Sequence, residues 1–251
     1  MKTGTWFIAT VVATGLVTTA VVLTLQRAPS GPISAMPEPG QGGQAATAAT
    51  AASIPAPVSS VVLNQQFNER QQDGGSDFIR ELDATRRDPA RTWVERNYAA
   101  QHLSLAYENS GQPAALAALV EAQDDADPRV ADTAIFNLAR LIYSKAVTAD
   151  GSEAASLHRH LRAALDDDRK GGLREGAIRA IALLEDKAYA PRLAELAGTL
   201  TSDVAVRVAA LDALAALGCT EYRQLGQAVL AEAKAGSVLS VAARRLAALG
   251  G

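Results

Sequence analysis

Four stretches of the chain can be laid over one another. DPRVADTAIFNLARL (127–141), GGLREGAIRAIALLE (171–185), SDVAVRVAALDALAALG (202–218) and SVLSVAARRLAALG (237–250) place Val130, Leu173, Val206 and Val238 in one column. The next columns are Ala134, Ala177, Ala210 and Ala242, then Leu138, Ile181, Leu214 and Leu246, then Leu141, Leu184, Leu217 and Leu249. These offsets of 4, 8 and 11 residues fall on one stripe of a helix. Successive units are 43, 33 and 32 residues apart, the spacing of stacked helix pairs.

Each unit has a preceding helix to complete its pair. QPAALAALVEAQ (112–123), SEAASLHRHLRAAL (152–165), KAYAPRLAELAGTL (187–200) and TEYRQLGQAVLAEA (220–233) fill that role. The alanine column lets paired helices approach closely, and the Leu and Val columns fill the seam. Asp88-Pro89 and Asp127-Pro128 read as an N-cap followed by proline at the first helical position, and Gly218 and Gly250 as left-handed C-caps. The stretch 89–111 fits the columns only in part, with Tyr98 where alanine is expected and His102 where leucine is, and it reads as an atypical N-terminal cap.

The run EDKAYAPRLAELAGTLTSDVAVRVAALDALAALG (185–218) resembles one full unit of the HEAT-like repeat family of the type first noted in phycocyanobilin lyases. The resemblance covers roughly residues 110–250. It implies an all-α fold, a right-handed α-solenoid of HEAT-like helix pairs. Its motif specifies architecture and not activity, because the family includes scaffolds, regulators and a few enzymes.

The N-terminal quarter has a different composition. Residues 1–5 form a short tail, and WFIATVVATGLVTTAVVLTL (6–25) is a charge-free run long enough for the ~30 Å hydrocarbon core of a bilayer. It predicts a transmembrane anchor; the rival, a signal peptide cleaved after Ala35, requires a site ten residues beyond the run. Lys2 and the terminal amine against Arg27 favour an inside N-terminus. The expected location is therefore the inner (cell) membrane as a single-pass protein with a periplasmic C-terminal domain. Thr10, Thr14 and Thr18 share a face that either supports a weak homodimer or is merely tolerated in an anchor. Residues 26–72, rich in Pro, Ala, Gly and Gln, predict a disordered tether, and residues 73–251 the repeat domain, with order beginning near residue 75.

No constellation for chemistry emerges. His158 and His160 stand at i and i+2, about 200° apart on a helix, and cannot share one ion. Asp166, Asp167 and Asp168 with Gly171 fail as a calcium loop because Lys170 holds the fifth place and Ala177 the twelfth; Asp124, Asp125 and Asp127 fail likewise, with Ile135 at the twelfth. Cys219 is the sole cysteine and reads as a buried or loop thiol. No nucleophile elbow, zinc-binding helix, phosphate loop or dinucleotide fingerprint is present. The expectation is no enzyme, no cofactor and no metal. The net charge of −3, with only Lys2, Arg27 and Glu38 among the first 60 residues, leaves an acidic domain without the footprint of a nucleic-acid binder.

One feature remains open. Arg174 and Arg207 occupy matching positions, with Arg244 and Arg245 near the same place in the fourth unit, and they form either a structural ladder or a partner-binding row. The expected function is a membrane-anchored scaffold or adaptor that offers its repeat surface to another protein. The alternative is a lyase-type or other HEAT-repeat enzyme.

Overall fold

A computed structural model describes residues 60–70, 75–167 and 173–250 of the chain. Among these residues every regular element is helical. The N-terminal pair of the array is α2 (Ser76–Arg87) and α3 (Trp93–Ser110). Four further pairs follow: α4 (Pro113–Glu121) with α5 (Pro128–Tyr143), α6 (Ser152–Asp166) with α7 (Leu173–Leu183), α8 (Ala190–Gly198) with α9 (Val204–Ala216), and α10 (Arg223–Glu232) with α11 (Val238–Ala247). Helices α3, α5, α7, α9 and α11 pack each on the next to form one layer, and the first helix of each pair packs on its own partner. This is the helical solenoid that the repeats predict.

The column residues explain the layering. Ala134, Ala177, Ala210 and Ala242 are buried, as are Leu138, Ile181, Leu214 and Leu246. The outer columns loosen at their ends: Leu184 and Leu249 lie past their helices and are only partly buried against the core. Val238 is 68% exposed.

Helix starts follow local chemistry. The Asp127 carboxylate accepts from the Arg129 N–H with Pro128 at the first turn, as expected. Asp203 and Ser237 do the same for α9 and α11. Gly218 and Gly250 have φ of 66° and 71°, the left-handed termini expected of them. Asp88-Pro89 is different. Asp88 ends α2, its side chain accepts from the Ala90 N–H, and α3 begins only at Trp93. There Thr92 and Glu95 cap each other reciprocally, so a full capping box outcompetes the Asp-Pro pair upstream.

Order also begins earlier than residue 75. Helix α1 (Ser60–Arg70) falls inside the stretch assigned to the tether, and it buries Leu63 and Phe67. Phe67 meets Phe78 and His102 edge to face, at 6.0 Å and 5.4 Å between ring centroids. Asn64 Oδ1 lies 3.0 Å from His102 Nε2. The histidine in the leucine column is thus the polar socket for α1, which covers the end of the array as a cap. Burial pushes the His102 imidazole down to about 4, so it is neutral and donates through Nε2.

The expected inner-membrane location with a periplasmic domain is corrected here. No helix among the described residues is long and apolar enough to cross a membrane. The tail 1–5, the run 6–25 and its face of Thr10, Thr14 and Thr18 lie outside those residues, as does the tether up to residue 59.

Candidate functional site

Along the layer of second helices, arginines link neighbouring units. Arg140 on α5 donates to Glu108 on α3 at 2.7 Å and to Ser104 at 2.8 Å. Arg179 on α7 reaches back to Asp132 on α5 at 3.3 Å, and Arg245 on α11 reaches back to Asp212 on α9 at 2.9 Å. Between α7 and α9 no ion pair bridges the described residues. Arg179 leans toward α5, while the equivalent position on α9 holds Asp212, already engaged from the other side.

Where that rung is missing, a groove of about 800 Å³ opens across α7, α9 and the start of α11. Ile178, Ala182, Ala205, Val208, Ala209, Ala213 and Ala216 floor it, and Glu175, Arg179, Asp203 and Asp212 stand at its rim with Val204 and Val238. A smaller hollow continues it past Val241 to Arg245. Residue size contributes: alanines hold many of the positions that line it.

Asp132 behind this rim is unusual. Gly176 on α7 lies so close that its carboxylate fills the space a side chain would take. Oδ1 is buried without a hydrogen bond, and burial, reinforced by nearby Glu175, lifts the carboxyl to about 6 against the pull of Arg179.

The four arginines singled out in the sequence occupy different settings. Arg207 is buried, its Nε donating to the Ala197 carbonyl at the end of α8 at 3.0 Å, with Glu232 3.9 Å away. Arg174 is half-buried and its Nε has no hydrogen bond. Arg244 is exposed, and Arg245 belongs to the groove margin. Sequence reasoning missed the groove itself, whose signal was the alanine content of positions flanking the columns.

A second cleft of about 700 Å³ lies between α6 and α8, lined by His158, Arg162, Asp166, Asp186, Tyr189 and Arg192 among others. His158 and Tyr189 have parallel rings 6.0 Å apart. The Tyr189 hydroxyl donates to the His158 carbonyl at 3.3 Å and lies 3.0 Å from its Nδ1, with Asp186 3.8 Å from the same nitrogen. His160 turns away, bonding the Ser156 carbonyl and, at 2.8 Å, Asp124. The two histidines thus serve different partners, and the described residues contain no group of metal-ligating side chains.

The acidic runs serve as caps and ion pairs: Asp125 holds Arg96 at 2.5 Å, Asp127 caps α5, and Asp166 meets Arg192 at 3.1 Å. Asp168, Lys170 and Gly171 lie outside the described residues. Cys219 is buried, and burial raises its thiol, which makes it a poor nucleophile.

No family model matches the chain, and no curated protein matches it. Among solved structures it is similar to human deoxyhypusine hydroxylase in complex with glycerol, at 16% identity over 77% of this chain and 81% of that one, with a TM-score of 0.30. It is also similar to the complex of CpcE and CpcF of phycocyanin lyase from Nostoc sp. PCC7120, at 16% identity over 86% of this chain and all 100% of the other, with a TM-score of 0.33. Both are HEAT-like helical-repeat proteins. The expectation that the chain is not an enzyme is withdrawn, because the names on these two matches are those of a hydroxylase and a lyase, at a likeness that assigns no activity to this chain. Its physical basis was also too narrow, since apolar seam columns exclude chemistry only at the seam, and His158, Tyr189 and Asp186 cluster elsewhere. At these identities and scores the likeness reaches the helical-repeat fold and nothing finer.

Proposed function

We propose that the chain is a protein-binding module, a scaffold or adaptor whose right-handed array holds a segment of another protein in the groove across α7, α9 and α11. The observation that carries this reading is the missing rung between α7 and α9, which leaves an apolar surface at a joint that, among the described residues, the layer's arginines do not close. Arg245 and Arg244 are the arginines a partner reaches, while Arg174 and Arg207 work inside the array. A photo-crosslinking residue at Val208 tests the reading against the same residue at Ala188 in the α6–α8 cleft. Adducts are expected from Val208 and not from Ala188; none from Val208, or equal yields, would reject it.

A second reading, a lyase-type or other HEAT-repeat enzyme, is favoured by the His158, Tyr189 and Asp186 cluster, in which an imidazole and a phenol lie within hydrogen-bond reach beside a carboxylate. On that reading His158→Gln abolishes turnover while groove binding persists.

A further inference from the structure

We infer that the groove's occupant is an amphipathic helix of a partner protein, with an apolar stripe flanked by lysine or arginine; this rests on the groove reading above. Charge decides the flanks. The rim arginines are already answered, Arg179 by Asp132 and Arg245 by Asp212. Glu175 and Asp203 have no ion pair among the described residues, so the surplus at the rim is negative. Both acids stand at the starts of their helices, Glu175 in the first turn of α7 and Asp203 at the N-cap of α9, so the surplus gathers at one end of the groove.

Shape decides the secondary structure. No strand edge exists among the described residues to accept an extended peptide by pairing. Helix axes pack about 8–10 Å apart, so a groove over three helices runs roughly 20 Å, the length of about 13 helical residues. Ala182, Ala205 and Ala209 in the floor allow a helix to approach closely. Val204, Val238 and Val241, which are 52%, 68% and 43% exposed, extend the apolar surface for its stripe.

Fluorescence anisotropy on the full chain tests this with three labelled synthetic peptides of about 14 residues, a helical Leu/Lys, a helical Leu/Glu and a Ser/Lys sequence. The Leu/Lys peptide is expected to bind at least about tenfold more tightly than either other peptide, a difference of about 1.4 kcal/mol. Ala209→Arg should weaken it about tenfold or more, and Ala155→Arg in the α6–α8 cleft should not. Val238→Arg, at an exposed position, repeats the block should Ala209→Arg fail to fold by circular dichroism. Glu175→Lys with Asp203→Lys should transfer the preference to Leu/Glu. Tighter binding of Leu/Glu that the blocking variants abolish overturns the basic-helix inference and leaves the groove reading standing. Equal binding of Ser/Lys also overturns the inference. Binding by no peptide, or insensitivity to both blocking variants, overturns the inference and the groove reading together.

Discussion

Gly176 makes the slot that holds the Asp132 carboxylate: a Cβ on Gly176 would stand 1.2 Å from Asp132 Oδ1. Glycine inside a helix ordinarily costs about 1 kcal/mol against alanine, so this one is kept for a steric reason. Gly176→Ala should evict the carboxylate toward solvent, where its burial is relieved. The expected outcome is an Asp132 pKa that falls from about 6 toward the ordinary 3.8 of an aspartate, followed by carbon-detected NMR titration. An unchanged titration would show that the slot is not what lifts it.

Asp132 and His102 make opposite contributions to stability as pH changes. The folded pKa of Asp132 is raised from 3.8 to about 6, so the native state binds more protons across that window and stability falls as pH rises. The folded pKa of His102 is lowered from 6.5 to about 4, so the unfolded state binds more protons there and stability rises with pH. Between about pH 4 and 6 the two slopes oppose each other, and the wild-type melting temperature should change little from this pair. Asp132→Asn removes one slope, and its melting temperature should climb from pH 4 to 6.5 as His102 alone dictates. A flat profile in the variant would refute the assignment.

Leu214 and Arg207 lie on the same helix, and both are buried. Leu214→Asp places an unpaired charge in the seam and should cost several kcal/mol, enough to unfold the array. Arg207→Ala leaves the Ala197 carbonyl without its donor and should cost about 1–3 kcal/mol. Arg244→Ala, on an exposed side chain, should stay within about 0.5 kcal/mol. Urea denaturation ranks the three, and any other order contradicts the placement of these residues.

Phe67→Ala removes the aromatic that fixes α1 to Phe78 and His102. Large-to-small changes at such sites cost about 3–5 kcal/mol, more than a terminal helix attached chiefly to α3 can lose and stay docked. Trypsin should then cut at Arg70 faster, and His102 should titrate near the ordinary 6.5 of a histidine. A His102 that still titrates near 4 would mean that something other than α1 desolvates it.

The legible parts of this fold were those written as periodicity. Ala134, Ala177, Ala210 and Ala242 repeat at constant offset because every pair repeats the same close contact, and all four are buried. Helix α1 escaped notice because it buries only Leu63 and Phe67, too few for a period, amid Gln and Asn. Asp88 misled because an Asp-Pro dipeptide can close one helix as readily as open the next. The groove was only half legible: alanines flanking the columns marked it, but the missing rung depends on the direction in which Arg179 and Arg245 lean, and a one-dimensional alignment carries no such direction.

The missing rung also has a mechanical meaning. A stack of pairs riveted by guanidinium–carboxylate contacts at some joints and not at another is a spring of uneven stiffness, and its bending concentrates at the joint without a rivet. Curvature changes at α7–α9 widen or narrow the groove directly, since the groove is that joint. A segment held there, as proposed, would bear on α7 and α9 at once, so the arc of the array at that joint is what its binding would change.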